Sequence, residues 1–287
     1  MIDISSFQIC LAPLPHEIKV LAPFVMRFDN LFRMYYSACD SGLNHSGAIK
    51  SAISSDCLSW NREPGFRMLP DEAERVIGMC VIKLDDGSFR MYYHARISNN
   101  PGKIYSAISQ DGFAWEKEPG VRVSSDNDDL GSPYCVQLKD GSFRLYFHFY
   151  TNFSRLSSKR NIASAISSDG INFEIEDGVR VEQTDDDERY AVYAPSVVEK
   201  DDSWSMYYGA WADQKAGCIK RTVSADGLLW EESKEVILAP GSFQDFLIVS
   251  EPCVVRRDGF RDVVFFEFLD VSRQWKIGSV ELDETQS

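Results

Sequence analysis

Histidine is scarce in this chain, four residues in all, so the placement of each one carries information. His94 and His148 each directly follow an aromatic run, Phe89 to Tyr93 and Phe143 to Phe147. A matched imidazole pair suits proton transfer or polar recognition near neutral pH, although it could also be tied by hydrogen bonds into a loop framework. Glu251, placed before Pro252 at the head of a Val-rich run, is a carboxylate that could serve as a general acid or base if partial burial raises its pKa. It could instead pair with an arginine or cap backbone amides. Partner acids are available in the loops: Asp129 in Asp126-Asn127-Asp128-Asp129, Asp245 in Ser242-Phe243-Gln244-Asp245, and Asp187 or Glu188 in the acidic run from Asp185. Most acidic runs are solvated surface, so these are candidates only by position. Arg75 and Arg189 could clamp a carboxylate or phosphate, or bridge neighbouring structural units. Arg96, Tyr150 and Trp211 follow the histidine register outward, and Tyr134 and Tyr193 flank the starts of two further Val-rich runs. Such aromatic faces stack on flat ligands or pack a rim.

The elements that must position these residues are repeated. Phe32-Arg33-Met34-Tyr35-Tyr36 returns as Phe89-Arg90-Met91-Tyr92-Tyr93, Phe143-Arg144-Leu145-Tyr146-Phe147 and Trp204-Ser205-Met206-Tyr207-Tyr208. A Val-rich run ending in Asp-Gly precedes the aromatic run, as in Val81 to Gly87, Val136 to Gly141 and Val254 to Gly259. A Ser-Ala-Ile-Ser run follows it and leads into Asp-Gly-x-x-Trp, as in Ser106 to Trp115, with related turns at Asp56 to Trp60, Asp169 to Phe173 and Asp226 to Trp230. Each unit reads as four strands joined by hairpins. The fourth strand is expected at Gly65 to Met68, Gly120 to Val123, Gly178 to Val181 and Val236 to Leu238. Four-stranded units in series predict an all-β propeller. Four complete copies and a fifth from Glu251 to Glu281 that lacks its last strand give a five-bladed β-propeller of four antiparallel strands per blade. It spans residues 1–287 as a single domain, with the last blade closed by the N-terminal strand near Phe7 to Leu11.

Strand direction places every Asp-Gly hairpin and Asp-Gly-x-x-Trp turn at one end of the ring. The long irregular connections fall at the other, and that is where a site is expected. Cys135, Cys253 and Ser196 are assigned one register on the inner strands, where small residues suit a narrow axis.

The 287 residues carry 30 Lys+Arg against 44 Asp+Glu, a formal net charge of −14, which disfavours nucleic acid and anionic membrane as partners. Phe 18, Tyr 12 and Trp 6 are largely accounted for by the repeated strand and turn. No apolar run reaches membrane-spanning length and no basic leader opens the chain, and the seven cysteines stand singly, so a cytoplasmic, reduced setting is expected. No cofactor is expected. Loop carboxylates could hold a structural Ca2+, although no spacing resembles a defined Ca2+ loop.

These units resemble the five-bladed glycosidase superfamily of arabinanases, β-xylosidases, levansucrases and invertases, the glycoside hydrolase family 43-like group, over nearly the whole chain. Sialidase Asp-boxes carry one more residue between Asp and Gly. The resemblance implies three acidic residues at the inner ends of first strands, since glycoside cleavage needs one carboxyl group to protonate the leaving oxygen and another to attack or activate water. Aligned on their Asp-Gly ends, the corresponding positions here are Ala22, Met79, Pro133, Ala194 and Glu251. The expected first-blade Asp is replaced by Ala22, and Glu251 matches the acid position.

Three functions follow. The first is a glycoside hydrolase-like enzyme acting on a small glycoside or furanoside, a sugar or sugar conjugate, with Glu251 as acid/base and Asp129 or Asp245 as partner. The second is proton-transfer chemistry on a small metabolite by Glu251 and the histidine pair, and the third is a non-catalytic binding propeller. Oligomeric state is not legible in the sequence.

Overall fold

The computed structural model describes residues 2–41, 47–70, 74–97, 100–151, 159–183, 188–200, 202–213 and 216–283. Five four-stranded antiparallel sheets make up the propeller. Blade one comprises β2 (Glu17–Phe28), β3 (Leu31–Asp40), β4 (Ala48–Ser54) and β5 (Asn61–Arg62). Blade two comprises β6 (Glu74–Lys83), β7 (Phe89–Ile97), β8 (Lys103–Ser109) and β9 (Glu116–Lys117). Blade three comprises β10 (Asp129–Gln137), β11 (Phe143–Tyr150), β12 (Arg160–Ser167) and β13 (Glu174–Ile175). Blade four comprises β14 (Ala191–Lys200), β15 (Ser203–Asp213), β16 (Ala216–Ser224) and β17 (Glu235–Leu238). Blade five, β18 (Phe246–Val255), β19 (Val263–Asp270) and β20 (Trp275–Leu282), is completed by the N-terminal strand β1 (Ile2–Leu11).

That closure follows the expected logic, with a longer strand than Phe7 to Leu11. Ile2 pairs with Leu282 and Leu11 with Ile277, so the open edge of β20 is covered. Phe7 anchors the strand among Phe243, Phe246, Phe266 and Phe268, at ring-centroid separations of 4.7, 5.2, 6.4 and 5.8 Å respectively.

In blade four the fourth strand falls where the sequence placed it, Glu235–Leu238 against Val236 to Leu238, whereas in the first three blades it is shorter and earlier. There it lies just after the aromatic turn, and the expected segments contribute only single bridges, Met68 to Ile49, Val123 to Ile104 and Val181 to Ile162. The chain is diverted between the two by a turn in which Gly65, Gly120 and Gly178 take φ of 77, 84 and 85°. Pro64 and Pro119, which donate no amide to a ladder, precede two of these glycines.

The repeated turn is held by its aspartate: one oxygen of Asp111 accepts from the amides of Phe113 (2.8 Å) and Ala114 (2.9 Å), and Asp56, Asp169 and Asp226 do the same. Its aromatic residue covers the preceding blade rather than its own. Trp115 sits edge-to-face on Tyr35, Phe173 on Tyr92 and Trp230 on Tyr146, at 5.9, 5.7 and 6.1 Å. The same tyrosines donate across the seam to the turn glycines: Tyr35 to Gly112, Tyr92 to Gly170 and Tyr146 to Gly227, at 2.7 to 2.8 Å. Trp60 of blade one packs at 5.6 Å on Phe265 of blade five, so the aromatic seam also crosses the closure.

Each inner strand breaks its ladder at a matching place, and β2 and β18 shift register a second time near their starts. A register shift accompanies a residue in the left-handed region: Ala22, Gly78, Ser132, Ala194 and Glu251, at φ of 48, 54, 45, 51 and 50°. Four of these carry a side chain, and such a conformation costs roughly 1–3 kcal/mol at each, a strain usually found where a bulge turns a side chain toward a site. The axial positions in blades two and three are therefore Gly78 and Ser132, one residue before Met79 and Pro133. Two residues further on, the shared register holds Cys80, Ser196 and Cys253, with Cys135 outside it. Cys80, Ser196 and Cys253 accept amide hydrogens from Cys135, Val254 and Val25 of the next blade at 3.2, 3.0 and 3.2 Å. Burial pushes the Cys80 and Cys253 thiols up to about 12, as expected of structural sulfurs.

Candidate active site

Two members of the ring of bulges, Ser132 and Glu251, contribute to the floor of a cavity of about 300 Å³ at the end opposite the Asp-Gly turns. Below that floor the axis narrows to about 20 Å³. Glu251 lines both spaces and is the acidic member of the ring. The walls come from two registers. One is the second-strand position opposite the residue just before the bulge in each of the five blades: Ser37, His94, His148, Gly209 and Glu267 pair with Leu21, Ile77, Gly131, Tyr193 and Ser250. The other is the third-strand position two before the buried isoleucine of each blade, held by Gly47, Gly102, Arg160, Gly217 and Trp275. The glycines of that register make room for funnel side chains. A Cβ on Gly102 would meet His94 Nε2 at 2.2 Å, and one on Gly217 would meet Trp211 Nε1 at 2.4 Å. Where Gly is replaced, Arg160 and Trp275 themselves enter the lining.

Arg75, His94, Arg96, Asp129, His148, Tyr150, Tyr193, Trp211 and Glu251 all line this one cavity. Asp245 does not: it is exposed on the surface, and its carbonyl accepts from the Val271 amide. Arg189 is also exposed and donates to the Ala212 carbonyl at 2.8 Å. Tyr134 belongs to the narrow axis, edge-to-face with Phe24 at 6.0 Å. Asp187 lies outside the described residues. Glu188 is fully buried as an acceptor for Tyr208 (2.6 Å) and Lys234 (2.5 Å), a structural knot in blade four.

Glu267 was not singled out by sequence. It is buried, accepts from the Ser250 hydroxyl at 2.6 Å and from the Ala22 amide at 2.9 Å, and lines the same cavity. Its contact with Ala22 brings a carboxylate from blade five against the backbone of the blade-one bulge. Ser37 makes the corresponding link from blade one, accepting from the Gly78 amide at 3.2 Å. The signal that could have revealed Glu267 is its register, which is that of His94 and His148. Lys19, Ser132, Arg160 and Trp275 likewise join the lining without sequence warning.

Burial raises the Glu251 carboxyl well above the usual range, and repulsion from Glu267 adds to the effect, against smaller opposing contributions from Arg75 and Ser132. Glu267 is raised as well, by burial, although the two hydrogen bonds it accepts favour the ionised form. Two such carboxyl groups share protons as a pair, and the donors on Glu267 place the negative charge there and the proton on Glu251. Asp129 is buried in an ion pair with Arg96 and also accepts from the Gly102 amide.

The two imidazoles lie edge-to-face at 6.5 Å. Burial holds His94 well below its ordinary value, with His148, Arg75 and Arg96 adding to the effect. Burial, reinforced by Arg160 and Arg96, pushes His148 down to about 3. Both rings are therefore neutral at pH 7. His94 Nε2, His148 Nδ1 and Trp211 Nε1 are buried with no hydrogen-bond partner among the described residues. Gly131 separates the rings, because a Cβ there would meet His148 Cε1 at 2.8 Å and His94 Nδ1 at 2.9 Å. Tyr193 stands edge-to-face to His148 at 6.3 Å and to Trp211 at 5.9 Å.

On the rim of blade one, His16, Glu17 and Asp40 bring one potential ligand atom each to within 4.8 Å of one another. Lys50 donates to both carboxylates at 2.8 to 2.9 Å and Arg62 donates to Glu17, so cations already compensate this cluster. Among the described residues, no helix is long and apolar enough to cross a membrane.

No protein-family profile and no curated protein sequence matches the chain. Solved structures do. A structure titled "Glycoside hydrolase" superposes with a TM-score of 0.79 at 15% identity, covering 97% of this chain and 92% of that one. A thermostable family-43 glycoside hydrolase gives 0.72 at 17%, covering 92% and 88%. An N-acetylgalactosamine deacetylase from F. plautii, in complex with blood group B trisaccharide, gives 0.75 at 15%, covering 96% and 94%. The chain shares the five-bladed fold of these structures over nearly its whole length. At such identities the likeness is one of fold, and the different activities named for these structures show that function must be read from the site.

Proposed function

We propose that the protein is a carbohydrate-active, glycoside hydrolase-like enzyme that cleaves a small glycoside in the axial funnel, with Glu251 as general acid. The observation that carries this reading is the Glu251 and Glu267 pair on the cavity floor. A protonated carboxyl group at neutral pH is what departure of a glycosidic oxygen requires, and burial beside a second carboxylate is a direct way to keep one. Glu267 acts as a positioning residue, through its charge on Glu251. Asp129, oriented by Arg96 and Gly102, is the carboxylate assigned to stabilise the cationic sugar ring or activate water. The aromatic walls, Tyr150, Tyr193, Trp211 and Trp275, offer faces to a sugar. The unpartnered nitrogens of His94, His148 and Trp211 are suited to its hydroxyl groups, since buried polar atoms without partners are costly unless a ligand or water satisfies them.

The test is turnover of a panel of nitrophenyl furanosides and pyranosides, neutral and acidic. Glu251→Gln is expected to reduce kcat by roughly 10²–10⁴-fold, the usual contribution of a positioned acid, while leaving glycoside binding in place. Turnover that survives Glu251→Gln refutes the assignment of the acid. Sugar binding without turnover in the wild type points to the binding-propeller reading.

A further inference from the structure

The protein as a whole is acidic, with a formal charge of −14, yet the funnel wall is cationic: Lys19, Arg75, Arg96 and Arg160 all face the cavity. Arg96 is matched by Asp129. Lys19, Arg75 and Arg160 make no ion pair with any described residue. Arg75 is the most telling of the three, because its Nε is buried without a hydrogen-bond partner among the described residues. The Arg160 guanidinium carbon lies 3.8 Å from the Tyr150 ring centroid and 5.0 Å from that of Tyr190, so two aromatic rings hold the cation at the cavity wall. Glu251 and Glu267 do not balance these charges, since a pair that shares a proton supplies one negative charge to the whole floor. Three cations without ion-pair partners therefore surround a space the size of one or two sugar rings.

Resting on the reading of the funnel as a glycoside site, we infer that its substrate is an acidic sugar, whose carboxylate or phosphate group is held by Arg75 and Lys19. Both residues act on the floor from one side: each is close enough to stabilise the Glu267 carboxylate electrostatically, and each acts on Cys39. Arg160 approaches from blade three, beside His148. The neutral parts of the sugar are left to the aromatic walls and the imidazoles. An acid group set against Arg75 supplies the missing counter-charge and, through bidentate geometry, fixes the ring relative to the Glu251 proton.

Binding is measured calorimetrically in the full chain carrying Glu251→Gln, so that nothing turns over. The probes are methyl glucuronoside, methyl galacturonoside, glucose 1-phosphate, the corresponding neutral methyl glycosides, and inorganic phosphate. At least one acidic sugar is expected to bind about tenfold or more tighter than its neutral counterpart, and to weaken as ionic strength rises. Adding Arg75→Gln, or independently Lys19→Gln in case the first variant does not fold, is expected to erase that preference while leaving neutral-sugar binding unchanged. Whether the uronosides or the sugar phosphate benefit identifies the acid group. Equal affinity for neutral and acidic sugars overturns the inference and leaves the glycoside reading standing. Inorganic phosphate binding as tightly as any sugar also overturns it, as does a preference that persists in both variants. Failure of every sugar to bind takes down the glycoside reading as well.

Discussion

His148 offers a direct test of whether the funnel is as dry and cationic as described. Its ring is buried, faces Arg160 and Arg96, and is held down to about 3, whereas in the unfolded chain it takes up a proton near 6.5. Between these values the unfolded state binds a proton that the folded state refuses. Stability from this group is therefore complete above pH 6.5 and is lost as the pH falls. Integrating the linkage from pH 8 gives a loss of about 2 kcal/mol at pH 5 and about 3 kcal/mol at pH 4. Glu251 and Glu267 work with the opposite sign, since the fold holds their protons above pH 4.5. A single pH profile of the wild type would mix the two effects. Replacing His148 with Gln removes its titration and leaves theirs, so the difference between wild type and variant, taken at pH 8 and again at pH 5, isolates the imidazole. Urea unfolding at both pH values supplies the four free energies. Any packing cost of the substitution is common to both and cancels. The wild type is expected to lose about 2 kcal/mol more than His148→Gln over this interval. A double difference within about 0.5 kcal/mol of zero, the ordinary limit of additivity, refutes the description of the ring as a desolvated neutral imidazole.

Two further outcomes follow from the same geometry. Glu267→Gln keeps an acceptor for Ala22 and Ser250 but removes the charge that repels a second negative charge on Glu251, so the basic limb of kcat/KM against pH is expected to move to lower pH. An unmoved limb refutes the pairing. Gly131→Ala places a methyl group 2.8 to 2.9 Å from both imidazoles and is expected to destabilise the fold by roughly 1–3 kcal/mol, read as a lowered Tm, with glycoside binding weakened alongside it.

The architecture was legible because its residues recur. An aromatic strand, an Asp-Gly hairpin and an Asp-Gly-x-x-Trp turn repeated through the chain leave little choice but blades, and the cut-off last copy points to closure by the N-terminal strand. The site was legible where it reuses the same registers, which is how His94 and His148 could be paired. Two things hid the rest. In blades two and three the run from the bulge to the Asp-Gly turn is one residue longer than in blade five, so counting back from the turn reaches Met79 and Pro133 instead of the bulge residues Gly78 and Ser132. In blade five the aromatic strand reads Val263-Val264-Phe265-Phe266, without the Tyr-Tyr that marks its counterparts, and Glu267 went unaligned with the histidines. Asp245 looked equivalent to Asp129 as a loop acid, but only Asp129 begins a strand that runs into the funnel. Arg160 and Trp275 stand in a repeated register that is Gly in the other three blades, so the repeat marks the position but not the side chain that enters the funnel there.

The closure strand also sets a timetable for the nascent chain. β1 emerges from the ribosome before the other strands of the propeller and its partner β20 after them, so at about 5–20 residues per second it waits on the order of tens of seconds for a strand to pair with. Through that interval Phe7 has none of the four phenylalanines that later enclose it, and Trp60 has no Phe265 to rest upon. Blades one to four can assemble in order as they emerge, but the ring, and with it the junction of Ala22 with Glu267 in the funnel, forms only when both termini are present. A partly synthesised chain therefore exposes an apolar strand early and acquires its candidate active site last.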